Sequence, residues 1–198
     1  MPVRLRVLTV VAMLGLAAAL LMRGRSPGDP QDYGAAPSFA LRDQRDRPVT
    51  DQDLRGAPWV ANFVFTRCTA VCPLLTAKFA NLQSRASDLE GVRWVSFSVD
   101  PDYDTPAVLV AYAARFEADA SSWSFLTGPL DDIERTVVKG FKIHIGQPEP
   151  SEDDPGLMDI MHGEHFIVVD AGGQIHGYYR SDTEGTERLL RELRDLLD

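Results

Sequence analysis

Hydrophobic and polar positions along the chain follow the strand period and the helix period in turn, which predicts an α/β domain. Residues 59–65 (WVANFVF) form a nearly continuous apolar run, and residues 92–100 (VRWVSFSVD) alternate, as buried strands do. Each run is followed by apolar residues at helical spacing, over 73–87 and over 104–118. Because strands and helices alternate in this order, we expect a parallel βαβ core.

The rest of the pattern predicts an antiparallel part of the same sheet and further helices around it. Thr105 and Pro106 stand where a helix cap and a first helical residue are favoured. The remaining predicted elements are a hairpin at 39–50, a strand at 123–127, a short helix at 130–141, a hairpin made of strands 165–170 and 174–180, and a helix at 184–197. Together they predict a central mixed sheet flanked by helices, within residues 38–198.

The N-terminal residues predict a membrane anchor or an export signal. Arg4 and Arg6 precede an uncharged apolar run at 7–22, somewhat shorter than the about 20 residues of a typical span. A single-pass anchor and a cleavable signal both fit this run. Residues 23–37, rich in Pro, Gly and polar side chains, predict a flexible linker. We therefore expect residues 1–22 to place the protein at the inner membrane, with its domain on the extracytoplasmic, periplasmic side.

The charge of the chain narrows the class of partner. The formal net charge is −9, and the first 25 residues carry four arginines and no acidic residue, so the remainder is more acidic still. Nucleic acid requires a basic surface to neutralise its phosphates, and is therefore excluded as a partner. The acidic body instead suits a partner with a basic or metal-binding surface.

The chain has two cysteines, Cys68 and Cys72, which lie between a predicted strand and a predicted helix. At the start of a helix the dipole and the unpaired N–H groups stabilise a thiolate, so we expect lowered thiol pKa values. Positions i and i+4 allow either a disulfide or two sulfur ligands for a soft ion such as Cu(I). A disulfide, a redox couple, a metal clamp and two buried core residues therefore all remain open.

Histidine is the expected third ligand of such a clamp. The chain has four histidines: His144, His162, His165 and His176. The first and last of them stand in strand-like alternation, where a structural histidine is the ordinary case. His162 and His165 flank the start of the predicted hairpin, where a loop could face the cysteines, and Met158 and Met161 add soft thioethers nearby.

Three segments of the chain, in this order, resemble the Sco/SenC family: FVFTRCTAVCP, SFSVDPDYDTPAVLVAYA and MHGEHFIVVDAGGQIHGYY. The resemblance covers essentially residues 38–198. It implies a thioredoxin-like fold on a membrane tether and a bound copper ion, Cu(I) or Cu(II). It also implies the role of a chaperone that delivers copper during the assembly of cytochrome c oxidase. The implied partners are the copper-site subunit of the oxidase and a thiol reductant.

The resemblance also implies the copper ligands. In the family, copper is held by the two cysteines of a CxxxC motif and by one histidine eight residues before the turn of the late hairpin. That spacing selects His162 in this chain. Cys68 and Cys72 would then also form the redox disulfide. The chain departs from the family pattern at Thr69, where proline is usual, and at Met161, where aspartate is frequent.

Asp100 and His165 are further candidates near the ligands. Asp100 ends a predicted parallel strand, so it should project from the same sheet edge as the cysteines. There it would accept a hydrogen bond behind the ligands or take part in docking. The alternative is that Asp100 and Asp104 cap the turn and the following helix.

A rival function uses the same two cysteines. A thiol-disulfide oxidoreductase or redox sensor that reduces the cysteines of the oxidase copper site would need Cys68 and Cys72 but not His162. The role of His162 therefore separates a copper chaperone from an enzyme-like reductase.

Overall fold

The structure, a computed structural model, describes residues 33–69, 71–143, 149–150, 158–159 and 164–197, the two short segments by their backbone alone. The predicted membrane segment 1–22 and His162 lie outside these residues. None of the helices among the described residues has the length and hydrophobicity of a membrane span. Residues Asp32–Asp198 form one compact unit.

Strands and helices alternate along the chain as the hydrophobic pattern predicts. The strands are β1 (Ala40–Arg42), β2 (Pro48–Thr50), β3 (Trp59–Val64), β4 (Arg93–Ser98), β5 (Trp123–Leu126), β6 (Glu149–Pro150), β7 (Met158–Asp159), β8 (His165–Val169) and β9 (Ile175–Arg180). The helices are α1 (Val71–Arg85), α2 (Pro106–Arg115), α3 (Leu130–Ile133, continued by π-helical turns over Glu134–Gly140) and α4 (Thr183–Asp195), and a 3-10 turn spans Asp51–Leu54.

The central sheet is mixed, with strand order β5-β4-β3-β8-β9. Strands β3, β4 and β5 are parallel, whereas β8 runs antiparallel to both β3 and β9. This confirms the predicted parallel core and the predicted late hairpin. The strands β6 and β7 form a separate antiparallel pair, which the hydrophobic pattern did not predict because each has only two residues.

Each face of the sheet is covered by its own apolar layer. Helices α1, α2 and α4 pack on one face, where Phe79 and Leu82 of the predicted α1 stripe are buried. The β1–β2 hairpin and α3 cover the other face. Because β3 and β4 are covered on both sides, β3 is apolar except for Asn62, and the two serines of β4, Ser96 and Ser98, are buried.

The starts of α1 and α2 determine where the candidate site lies. Thr105 caps α2, its side chain accepting from the Val108 N–H at 3.4 Å, and Pro106 is the first helical residue, as predicted. Helix α1 begins at Val71, two residues before the expected start at Pro73. Cys72 therefore lies inside the first turn of α1.

The last residues of the predicted linker pair with the β8–β9 hairpin. The Ala36 N–H donates to the Gly173 carbonyl oxygen, and the Ile175 N–H donates to the Gly34 carbonyl oxygen, both at 2.9 Å. The ring of Tyr33 lies 5.2 Å from the ring of Tyr178. Residues 33–37 are therefore part of the folded unit rather than of a free tether.

Replacing Phe79 by alanine is expected to destabilise the fold by about 3–5 kcal/mol, the usual cost of removing a large buried aromatic side chain. The Phe79 ring is fully buried, with its centroid 5.2 Å from Trp94 and 5.0 Å from both Trp123 and Phe166. Urea unfolding measures the loss. Leu74→Ala is the control on the same helix, since Leu74 is 57% exposed and should cost less than about 0.5 kcal/mol. Equal losses for the two variants would contradict this packing.

Candidate metal centre

The two cysteines lie together where β3 leads into α1. Cys68 is half-buried in residues 65–70, which join β3 to α1 and are called the connection below. Cys72 is buried in the first turn of the helix. Both are thiols in the structure. The Cys72 backbone N–H donates to the Cys68 sulfur at 3.3 Å, and the Cys68 N–H donates to the Phe65 carbonyl oxygen at 3.3 Å. The sulfur of Cys68 thus accepts one of the N–H groups that a helix start leaves without an intrahelical partner.

Burial raises the pKa of the Cys72 thiol to about 12. The sequence-based expectation of a lowered pKa is therefore wrong for Cys72. The start of a helix favours a thiolate, but only 4% of Cys72 is exposed, and loss of hydration opposes the charged form more strongly. At neutral pH, Cys72 in this reduced form carries its proton, which a metal ion must displace in order to bind.

Asp104 is a buried carboxylate at the same edge of the sheet. Its Oδ1 accepts from the Thr66 hydroxyl at 2.5 Å, and its Oδ2 accepts from the Ser98 hydroxyl at 2.6 Å. The Thr66 N–H lies within 3.3 Å of both oxygens. Burial raises the pKa of Asp104 above its usual value, although the hydrogen bonds from Ser98 and Thr66 partly oppose this shift.

Sequence reasoning assigned Asp104 only a capping role and missed this contact with the cysteine-bearing connection. A signal for the other partner of Asp104, though not for Thr66, was present in β4, where Ser96 and Ser98 alternate with apolar residues. Because a central parallel strand is covered on both faces, such serines are buried and need hydrogen-bond partners. For Ser98, that partner is Asp104.

Asp100 contacts the residue that precedes Cys68. Its Oδ2 accepts from Nε and Nη2 of Arg67, each at 2.7 Å, and Arg67 directly precedes Cys68. The Arg67 guanidinium also lies 4.8 Å from the centroid of the Tyr103 ring. Asp100 thus contacts the connection through an arginine, and exposed Tyr103 extends the surface next to Cys68.

The histidines fall into three groups. His165 is the half-buried first residue of β8, paired in register with Arg180. Both ring nitrogens of His176 are engaged, Nδ1 with Glu192 at 2.9 Å and Nε2 with Asp170 at 3.2 Å, which agrees with a structural role. His144 and His162 lie outside the described residues.

The register of the sheet places the start of β8 at the cysteine edge. Strand β8 pairs antiparallel with β3, with Ala61 opposite Ile167. The beginning of β8 therefore lies near the end of β3, which leads to Cys68. Among the described side chains, no group of three or more His, Cys, Asp or Glu could hold a metal ion.

A mixed sheet flanked by helices, with two thiols at the start of a helix, defines a thioredoxin-like dithiol protein. The chain belongs to the SCO1/SenC family, whose model matches residues 28–198. It is 34% identical over 170 residues to a SCO1 protein homolog of Bacillus subtilis (strain 168), covering 81% of this chain and 84% of that protein.

Two further proteins bear on function. A putative copper-binding protein of Stutzerimonas stutzeri is 27% identical over 166 residues, covering 81% of this chain and 78% of that protein. The solved structure of BsSco is similar with a TM-score of 0.73 and 29% identity, covering 85% of this chain and 95% of that one. BsSco is described as a member of the Sco family of cytochrome c oxidase assembly proteins, in which a disulfide switch was identified.

Proposed function

We propose that this protein binds a copper ion through Cys68, Cys72 and His162, and delivers it to the copper centre of cytochrome c oxidase during assembly. The observation that carries the proposal is the hydrogen bond from the Cys72 backbone N–H to the Cys68 sulfur, which brings two free cysteines together at the start of α1. The family supports it, as do the copper-binding description of the S. stutzeri protein and the oxidase-assembly description of BsSco.

The donor set suits copper. Thiolates are soft ligands that favour Cu(I), and an imidazole is a common additional ligand. His162 precedes His165 by three residues, and β8, which begins at His165, starts at the edge of the sheet where β3 ends. A short segment before β8 can therefore supply a third ligand to the two sulfurs.

Unequal exposure of the two sulfurs gives the transfer a direction. Cys68 is half-buried and Cys72 is buried, so an incoming thiol or imidazole reaches the metal from the Cys68 side. The partner's ligands replace those of this chain one at a time, and each released cysteine regains a proton. The excess of acidic residues on this chain steers a partner whose docking surface is basic.

The same proposal includes the setting of the domain. Residues 1–22 anchor the chain in the inner membrane by a single pass, and residues 23–32 form the tether, since residues 33–37 belong to the folded unit. The domain over 38–198 then faces the extracytoplasmic side, where the oxidase copper centre is assembled. The pair must be reduced before it binds copper, because a disulfide has no thiolate to offer, and a thiol reductant supplies this reduction.

A second candidate function is thiol-disulfide exchange with the cysteines of the oxidase copper site, or redox sensing. The disulfide switch described for BsSco favours it. The arrangement is also suitable, because the accessible sulfur of Cys68 can attack a target disulfide and Cys72 lies next to it to resolve the mixed disulfide.

Replacing His162 by alanine separates the two functions. Copper delivery predicts that Cu(I) affinity, measured by competition with a chromophoric chelator, falls at least about tenfold, since one of three ligands is lost. Exchange with a cysteine-bearing target peptide should change little. His176→Gln is the matched control, because the His176 ring is engaged by Asp170 and Glu192. Unchanged copper affinity in the His162 variant would contradict this ligand set.

A further inference from the structure

We propose that Asp104 is the positioning residue of the dithiol: it fixes the connection that carries Cys68 against β4 and so sets how the two sulfurs face each other. The inference deepens the proposed function and rests on it where copper is concerned. The part of the inference that concerns disulfide formation depends only on the geometry of the two reduced cysteines, not on copper.

The contacts of Asp104 join three parts of the fold. Its own position is two residues before α2, its Oδ2 accepts from Ser98 at the end of β4, and its Oδ1 accepts from Thr66 in the cysteine connection. Thr66 donates through both its hydroxyl and its backbone N–H. The fully buried side chain of Asp104 therefore holds the connection through the hydroxyl and the backbone N–H of Thr66. Thr66 lies two residues before Cys68.

Burial makes this contact strong. A buried carboxyl group must be paired with hydrogen-bonding groups, because an unpaired polar group in the interior costs free energy. If the side chain is removed, the Thr66 N–H and the Ser98 hydroxyl lose their acceptor, and the connection can restore their hydration only by moving away from β4. That movement displaces Cys68, whereas Cys72 stays in the helix.

A second interaction, between Arg67 and Asp100, also holds the connection, but it is weaker. Arg67 pairs with Asp100 at 2.7 Å, but the Arg67 side chain is 56% exposed. Exposed ion pairs contribute little, because water screens the charges and two long side chains must be ordered. Loss of Asp104 is therefore not compensated by Asp100.

The equilibrium between the reduced and the disulfide form of the cysteine pair, measured in glutathione buffers without copper, depends on how the two sulfurs are placed. In this reaction, the two thiols give two electrons and two protons to glutathione disulfide, forming the Cys68–Cys72 bond and two glutathione thiols. A displaced Cys68 is less often within reach of Cys72, which disfavours the bond. Asp104→Ala should therefore lower the equilibrium constant for oxidation about tenfold and weaken Cu(I) binding by a similar factor.

The Asp104→Asn variant tests whether the hydrogen bonds of this side chain or its negative charge position the connection. The amide oxygen can still accept from the Thr66 N–H, and the hydroxyls of Thr66 and Ser98 can rotate to accept from the amide nitrogen. We therefore expect the asparagine variant to stay within about threefold of the native protein in both measurements.

Asp43 provides a matched control. It is also fully buried, and it accepts from the backbone N–H groups of Arg45 and Arg47 and from the Arg47 Nε, at 2.8–2.9 Å, in the turn between β1 and β2. Asp43→Ala should lower stability to urea without changing either the glutathione equilibrium or the copper affinity.

The experiment compares the full chain with these variants in glutathione buffers, in Cu(I) competition and in urea. If Asp104→Ala is too unstable, Thr66→Val removes one donor and should shift the glutathione equilibrium about threefold in the same direction. The inference is overturned if the Asp104→Ala or Thr66→Val shift is no larger than that of Asp43→Ala, or if Asp104→Asn matches Asp104→Ala. If the native chain binds no copper, the proposed function fails, and the glutathione equilibrium still decides the role of Asp104.

Discussion

Serine in place of Cys68 or Cys72 is expected to abolish copper retention by the reduced full chain. Serine is close in size to cysteine, so the fold is kept, but its hydroxyl is a hard ligand that stays protonated at neutral pH. A Cu(I) ion left with one sulfur and one imidazole should be lost to a competing chelator. The measurement is the ratio of copper to protein after gel filtration, expected near one for the native chain and near zero for each variant.

Thr69→Ala controls for disturbance of the connection itself. Thr69 lies between the two cysteines and is exposed, so its replacement removes no proposed ligand. This variant should keep the native copper ratio. Full copper retention by either serine variant would place the metal elsewhere on the chain.

Oxidation of the cysteine pair is expected to prevent copper uptake completely, and reduction is expected to restore it. The sulfur of Cys68 already accepts from the backbone N–H of Cys72 at 3.3 Å, so it lies close to the residue whose sulfur it would bond. Once the bond forms, neither sulfur can act as a thiolate ligand. Copper uptake should therefore fall in proportion to the thiols lost, as counted with a thiol reagent.

The reversibility of this effect distinguishes a switch from damage. A dithiol reductant should return both the thiol count and the copper ratio to the native values, whereas oxidation of a sulfur to an oxyacid would not reverse in this way. Copper uptake that is independent of the oxidation state of the pair would contradict the assignment of Cys68 and Cys72 as ligands.

Much of the fold could be predicted because burial on both faces leaves a strong pattern in the sequence. Residues close together in the chain indicate the structure in each case: the apolar run of β3, the alternation of β4, the stripe of α1 and the cap at Thr105. The two-residue strands β6 and β7 were missed because so short a segment shows no period. The start of helix α1 was placed too late, at Pro73. Proline is tolerated anywhere in the first turn, so it does not mark the first helical residue, which is Val71.

The candidate site could be predicted only where its parts are neighbours in sequence. Cys68 and Cys72 were recognisable from their spacing, and Asp100 from its place at a strand end. The partnership of Asp104 with Thr66 joins residues 38 positions apart, and the sequence contains no local mark of it. The raised pKa of Cys72 was missed for a related reason, since the burial that causes it depends on tertiary packing.

The donor set of the bound copper tests the central claim most directly. Copper K-edge X-ray absorption on the reduced full chain, loaded with one equivalent of Cu(I), counts the sulfur and nitrogen atoms around the metal. We expect two sulfur neighbours and one imidazole nitrogen, with the imidazole signal lost in the His162→Ala variant. Fewer than two sulfur neighbours, or an imidazole signal that persists in that variant, would contradict the site formed by Cys68, Cys72 and His162.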